Sequence, residues 1–205
     1  MIVKVCGMRE PDNIREVETL QPTMIGFICW DKSPRYVATV PSYLPKCQRV
    51  CVFVNPSINY ALQMADSFKA DYLQLHGSET PDFCQELKHA TGLKIIKSIS
   101  IANSADIEKS KEYQGVADIL LFDTKCATVG GSGVKFDWSV IENYDGTTPF
   151  LLSGGIGPDD AESILSIKHP MFAGVDLNSR FESAPAMKDV LKLKEFITEI
   201  RDEQD

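Results

Sequence analysis

The chain has 205 residues, of which 43% are hydrophobic, so it could form one large domain or two small ones around a sizeable core. The formal net charge of −8 at pH 7 argues against nucleic acid or an anionic membrane as a partner, because both reward clustered lysine and arginine. A small anionic substrate would need a local positive site.

Short apolar runs rich in β-branched residues recur along the chain and predict its strands. Most are apolar at consecutive positions, which is typical of parallel strands that are buried on both faces. In chain order, the eight predicted strands cover residues 2–6, 24–29, 49–54, 72–75, 94–99, 118–122, 149–152 and 172–176.

Segments with helical periodicity follow the strands, and strand and helix alternate throughout. The repeat is roughly 25 residues, near the compact end of the range for barrels. Alternation alone fits a closed barrel or an open doubly wound sheet, and the count of eight favours the barrel. We therefore predict an α/β protein, a single-domain (β/α)₈ TIM barrel over residues 1–205. The predicted helices cover residues 13–20, 37–45, 59–69, 81–90, 104–113, 138–144, 159–167 and 186–202.

The first residues of the chain lack the features of a signal peptide, and no run approaches the roughly 18 apolar residues of a membrane helix. We therefore expect a cytoplasmic protein whose six cysteines are free thiols. Only Cys47 and Cys51 lie close together, and no histidine has metal-ligand spacing with them. No metal site is predicted.

In a barrel of this kind the active site lies at the carboxyl ends of the strands, so the residues that follow each strand are the candidates. Gly154 and Gly155 stand between a strand and a helix expected near Pro158, where backbone N–H groups can approach a phosphate. Asn178 and Ser179 follow the next strand and strengthen this interpretation. Ordinary tight turns are the alternative.

Cys6 and Asp123 are the candidate catalytic residues. Cys6 ends the first strand, and as a base it must be a thiolate, favoured by positive charge from Arg9, Arg35 or helix ends. Its alternative is a small buried hydrophobe. Asp123 follows a buried strand, and as a general acid it must be protonated near neutral pH, which desolvation or a nearby anion favours. Its alternative is a loop cap.

Three further residues are candidates for contacts in the site. Arg35, after Ser33-Pro34, has a planar guanidinium suited to a carboxylate or phosphate, or is a surface arginine. His76 lines the site, or is a strand-end histidine satisfied by the backbone. Lys4 lies inside the first strand and would need a carboxylate partner if it points into the barrel.

The strand-end segments, in this order, resemble those of the phosphoribosylanthranilate isomerase family of tryptophan biosynthesis, over the whole length of the chain. The motifs are KVCGM at 4–8, GF at 26–27, SPR at 33–35, VFVN at 52–55, QLHGSE at 74–79, DTK at 123–125, GGSG at 130–133, FDW at 136–138, SGG at 153–155 and GVD at 174–176. Any one of them is weak, but the ordered set is highly specific.

The resemblance implies an Amadori rearrangement of N-(5-phosphoribosyl)anthranilate without cofactor or metal. By position, Asp123 would open the ribose ring as acid and Cys6 would remove the proton from the second ribose carbon. Arg35 would hold the anthranilate carboxylate, and Asp176 would contact the ribose. The phosphate would be cradled by Gly154, Gly155, Asn178 and Ser179. The chain departs from the family where Asn178-Ser179-Arg180 replaces the usual Ser-Ser-Gly.

Two other functions stay open at this point. One is a different phosphate-binding barrel enzyme acting on a sugar phosphate, although a metal-dependent epimerase would need more histidine and carboxylate ligands at strand ends. The other is a non-catalytic barrel subunit. Because no exposed apolar face stands out, we expect a monomer with a small anionic substrate as its partner.

Overall fold

All eight predicted strands form, and they close into a parallel barrel in chain order, with the last strand paired to the first. The computed structural model describes residues 1–124 and 137–202. The prediction of a (β/α)₈ barrel is confirmed. The strands are β1 Ile2–Val5, β2 Met24–Ile28, β3 Gln48–Phe53, β4 Tyr72–Leu75, β5 Lys94–Ile101, β6 Ile119–Thr124, β7 Phe150–Leu152 and β8 Phe172–Leu177.

The strands carry apolar side chains on both faces because two separate cores need them. One core fills the barrel and includes Val50, Ile96 and Leu151, with Cys6 at its upper end. The larger core lies between the strands and the outer helices. Burial on both sides explains why the strands show consecutive rather than alternating apolar residues.

The helices form the outer layer, but the predicted helix over residues 37–45 is wrong. That segment runs as turns and irregular chain between β2 and β3. Pro41 lacks a backbone N–H and disfavours a helical conformation in the residue before it, and Pro45 repeats the effect at the end. The observed α-helices are α1 Pro11–Glu18, α2 Ile58–Phe68, α3 Pro81–Thr91, α4 Ser104–Glu108, α5 Ala161–Leu165 and α6 Val190–Asp202.

Three other predicted helices are shorter or tighter than expected. The segment over 104–113 divides into α4 and a 3₁₀ helix, Lys109–Tyr113, and Trp138–Asn143 is 3₁₀ throughout. Before α5, Pro158–Asp160 forms one 3₁₀ turn. Such short pieces suit connections that have room for only a turn or two. No helix among residues 1–124 and 137–202 is long and apolar enough to cross a membrane.

The chain after β8 contains a small hairpin that the periodicity missed. The predicted helix over 186–202 begins only at Val190, and β9 Glu182–Ala184 and β10 Met187–Lys188 precede it. Ala186 has φ +67°, a left-handed turn conformation that no helix contains. Asn13 of α1 holds the hairpin, since its side chain accepts from the Lys188 N–H (2.7 Å) and donates to the Lys188 carbonyl (3.0 Å).

Candidate active site

One cavity at the carboxyl ends of the strands brings the predicted site residues together. Its remaining lining is largely apolar and includes Ile28, Trp30 and Val52. A mostly apolar cleft with a few convergent polar groups is the usual form of a small-molecule site. The predicted residues that line it are Cys6, Arg35, His76, Asp123, Gly154, Gly155, Asp176, Asn178 and Ser179.

Cys6 lies at the floor of this cavity, where it is only 3% exposed. Gly26 on β2 makes the room for it, because a Cβ there would approach Cys6 Sγ to 2.8 Å. Lys4, two residues earlier on the same face of β1, forms a buried ion pair with Asp176 at 2.7 Å. The expectation that Lys4 points into the barrel and needs a carboxylate partner is confirmed.

Burial is the largest influence on the Cys6 thiol and raises its pKa, and the Asp176 carboxylate raises it further. Lys4 and Lys188 are the cations that lower the pKa of Cys6, without reversing the effect of burial. The largest positive influences on the thiol thus come from Lys4 and Lys188, not from the expected Arg9 and Arg35. This environment favours the thiol form of Cys6 at neutral pH.

Asp123 lies near the carboxyl end of β6, on the other side of the cavity, and is held by hydrogen bonds. Its Oδ1 accepts from the Thr124 N–H (2.9 Å), and its Oδ2 lies 3.0 Å from His76 Nε2. Gly154 approaches it closely: a Cβ there would be 2.8 Å from Asp123 Oδ1, and its φ of +85° also favours glycine. The carboxyl group therefore sits in a fixed position at the edge of the site.

Two polar side chains, from β4 and β5, orient the His76 ring. Ser98 Oγ lies 2.8 Å from His76 Nδ1, and Gln74 Nε2 donates to the same nitrogen at 3.1 Å. These contacts hold the ring so that its Nε2 faces Asp123. The alternative in which the backbone satisfies His76 is therefore wrong.

Arg35 stands at the entrance and is not a surface arginine, since it is only 9% exposed. Its backbone N–H donates to Ser33 Oγ (3.1 Å), which tightens the loop after β2. Its guanidinium binds Glu182 of the hairpin, with Nε 2.9 Å from Oε1 and Nη2 2.7 Å from Oε2. One edge of the guanidinium is therefore already paired with a carboxylate.

The glycine pair and the chain after β8 form the remaining wall. Gly154 and Gly155 both have left-handed backbone angles, with φ of +85° and +73°. A 3₁₀ turn, Ser179–Phe181, follows β8 directly. The Asn178 side chain is engaged, because its Oδ1 accepts from Lys188 Nζ at 2.7 Å. The predicted segment at 130–133 lies outside the described residues.

Sequence reasoning did not single out Lys188, Gln74 or Ser98. For Gln74, a signal was present, because it is a polar residue two positions before His76 on a buried strand and so shares its face. Lys188 had no local signal, since it lay in a segment whose pattern predicted a helix. Among the described residues, no group of three or more His, Cys, Asp or Glu side chains is placed to hold a metal ion.

Comparison with known proteins agrees with this geometry. The family model described as N-(5'phosphoribosyl)anthranilate (PRA) isomerase matches residues 3–199. The N-(5'-phosphoribosyl)anthranilate isomerase of Parabacteroides distasonis is 50% identical, over 98% of this chain and 93% of that protein.

Solved structures give the same result. Phosphoribosyl anthranilate isomerase from Thermus thermophilus superposes with a TM-score of 0.84 at 25% identity, covering 99% of this chain and 100% of that one. A phosphoribosyl anthranilate isomerase in complex with reduced 1-(o-carboxyphenylamino)-1-deoxyribulose 5-phosphate has a TM-score of 0.83 at 29% identity, covering 98% and 100%. The chain belongs to the N-(5'-phosphoribosyl)anthranilate isomerase family and is an isomerase of tryptophan biosynthesis.

Proposed function

We propose that this chain converts N-(5-phosphoribosyl)anthranilate to 1-(2-carboxyphenylamino)-1-deoxyribulose 5-phosphate by an Amadori rearrangement. One observation carries the proposal. A candidate acid, Asp123, and a candidate base, Cys6, line the same cavity as a guanidinium suited to a carboxylate and a glycine pair suited to a phosphate. A substrate held at both of its charged ends would have its reacting carbons fixed relative to the acid and the base.

The first step opens the ribose ring. Asp123 donates its proton to the ring oxygen while the bond from that oxygen to the first ribose carbon breaks, and the anthranilate nitrogen supplies the electron pair that forms the iminium. His76 keeps the carboxyl group in place through its 3.0 Å contact.

The second step removes the proton from the second ribose carbon. The iminium acidifies this carbon, so a modest base is sufficient. Cys6 releases its own thiol proton to solvent and then accepts the substrate proton as a thiolate, and the positive iminium beside it adds to the two lysines that already lower its pKa. Thiolate formation is in this way coupled to the presence of the opened substrate. The enolamine then tautomerises to the ketone.

The remaining predicted residues bind the substrate. Arg35 holds the anthranilate carboxylate with the edge that Glu182 leaves free. Asp176, already bonded to Lys4 and to the Ser153 hydroxyl (3.2 Å), accepts a further hydrogen bond from the ribose. The phosphate lies against the backbone of Gly154 and Gly155 and the turn at residues 178–179.

The test follows the loss of anthranilate-type fluorescence when freshly made phosphoribosylanthranilate is mixed with the purified protein. We expect turnover with no added metal or cofactor, and growth of a tryptophan auxotroph that lacks the isomerase. The matched control is the double variant Cys6→Ser/Asp123→Asn, which should fold but do neither. Folded wild-type protein without either activity would overturn the proposal in favour of another sugar-phosphate barrel or a non-catalytic subunit.

We also propose that the active unit is a monomer in the cytoplasm. The proposed catalytic and substrate-binding residues all belong to one chain and line one cavity, so no second copy is needed to complete it. The described cysteines are free thiols, as suits a reducing compartment. Light scattering of the active protein should give the mass of one chain, and activity that rises with dimer formation would contradict this.

A further inference from the structure

Arg35, Glu182 and Lys188 form a cluster of charges at the entrance of the cavity, which we call the entrance cluster. Besides its bonds to Arg35, the Glu182 carboxylate accepts from Lys188 Nζ at 2.6 Å and from the Ala186 N–H at 3.1 Å. All three side chains are largely buried. The cluster joins the loop after β2 to the β9–β10 hairpin.

Glu182 occupies only one edge of the Arg35 guanidinium. A guanidinium has five N–H donors in a rigid plane, and Glu182 uses Nε and one hydrogen of Nη2. The edge made by Nη1 and the second hydrogen of Nη2 is the other place where a carboxylate can bind through two bonds. In the part of the chain that the structure describes, no residue accepts a hydrogen bond from Nη1.

The entrance cluster places two basic side chains around one carboxylate. Burial lowers the pKa of Lys188, and the Glu182 carboxylate at 2.6 Å opposes that effect. Burial alone raises the pKa of Glu182, but the bonds from Arg35 and the charge of Lys188 outweigh it and hold that pKa below its usual range. Glu182 is therefore ionised at neutral pH. Lys188 cannot swing away easily, because its backbone is bonded to Asn13 and its Nζ also donates to Asn178.

We propose that Glu182 and Lys188 are positioning residues for carboxylate recognition. Glu182 fixes one edge of Arg35 so that the free edge faces the substrate, and Lys188 holds the Glu182 carboxylate in that position through its 2.6 Å contact. The inference rests on the proposed binding of the substrate carboxylate by Arg35. It makes the hairpin, which no strand-end motif includes, part of the specificity of the site.

The effect on carboxylate recognition is measured by comparing two ligands. One is the reduced product 1-(o-carboxyphenylamino)-1-deoxyribitol 5-phosphate, and the other is its counterpart without the carboxylate. The readout is the ratio of their dissociation constants by calorimetry. We expect Glu182→Gln and Lys188→Met each to weaken binding of the carboxylate ligand about tenfold, since each removes a charge-assisted contribution. Binding of the other ligand should stay within about twofold, and KM should rise more than kcat falls.

If Glu182 and Lys188 had only a structural role, their substitution would weaken binding of both ligands equally. Lys111→Met is the matched control, because Lys111 pairs with Glu108 and Asp145 at exposed positions and does not line the cavity. In an Arg35→Ala background, Glu182→Gln should have no further effect on the ratio, because it acts through Arg35. An unchanged or increased preference for the carboxylate ligand in Glu182→Gln would overturn the inference.

Arg35→Ala alone distinguishes a failure of the positioning role from a failure of the proposed carboxylate binding. If it lowers the ratio while Glu182→Gln and Lys188→Met do not, only the inference about positioning fails. If Arg35→Ala leaves the ratio unchanged, the proposed role of Arg35 is wrong and the inference falls with it. Should Glu182→Gln fail to fold because two buried cations lose their shared partner, the double variant Glu182→Gln/Lys188→Met removes that repulsion, and the same loss of preference is expected.

Discussion

The two sides of the active site handle protons in different surroundings. Cys6, at the junction of β1 and β8, is 3% exposed and lies beside the buried pair of Lys4 and Asp176. Asp123, at the end of β6, has a side chain that is 16% exposed and is held by hydrogen bonds to His76 and to the backbone. The proton affinity of Cys6 therefore depends on the buried charges around it. The activity of Asp123 as an acid depends instead on how its carboxyl group is oriented and on its access to protons.

The largest effect should come from the acid side. Asp123→Asn keeps the size of the side chain but removes the proton that opens the ring, so kcat should fall by about 10³ to 10⁴. Binding of the reduced product should be nearly unchanged, because the amide still fills the position. Stopped-flow fluorescence and calorimetry measure the two quantities, and a kcat within tenfold of wild type would show that Asp123 is not the acid.

The base side should give a somewhat smaller loss. Cys6→Ser replaces a thiol with a hydroxyl that is far harder to ionise in a buried position, so kcat should fall by about 10² to 10³. Cys47→Ser is the matched control, since Cys47 lies outside the cavity. Equal activity of the two variants would remove Cys6 from the mechanism.

A substitution of His76 tests whether this residue only orients Asp123 or transfers a proton itself. His76→Gln keeps an N–H donor for Asp123 but loses the fixed ring, and kcat should fall about tenfold if His76 only orients the acid. A loss as large as that of Asp123→Asn would instead show that His76 transfers a proton itself. The single-turnover rate of ring opening distinguishes these outcomes.

The smallest effect is a shift in the ionisation of Cys6. Because burial raises its pKa, the ligand-free thiol should react slowly with iodoacetamide at neutral pH and faster as the pH rises through that pKa. Lys188→Met removes a cation that lowers the pKa of Cys6, so its rate profile should move to higher pH. Mass spectrometry in a Cys47→Ser background follows the reaction, and a profile that moves to lower pH would contradict the assignment.

Local patterns were sufficient for most of the architecture. Buried parallel strands need apolar side chains on both faces, so their positions could be predicted from continuous apolar runs. Periodicity misled over residues 37–45, where prolines prevent a helix, and over 186–189, where a left-handed turn at Ala186 makes a hairpin. In both places local backbone geometry, set by Pro41 and Pro45 or by the turn at Ala186, outweighed the pattern around it.

The sequence by itself determined the barrel and the residues that line its mouth, because the carboxyl end of each parallel strand must reach the same edge. Only the tertiary structure decided which of those residues are paired. Lys4 pairs with Asp176, which lies 172 positions away in the sequence, and Arg35 pairs with Glu182, which lies 147 positions away. Closure of the barrel brings β8 and the hairpin against β1 and the loop after β2. Burial in this region then shifts the pKa values of the groups on which the proposed chemistry depends.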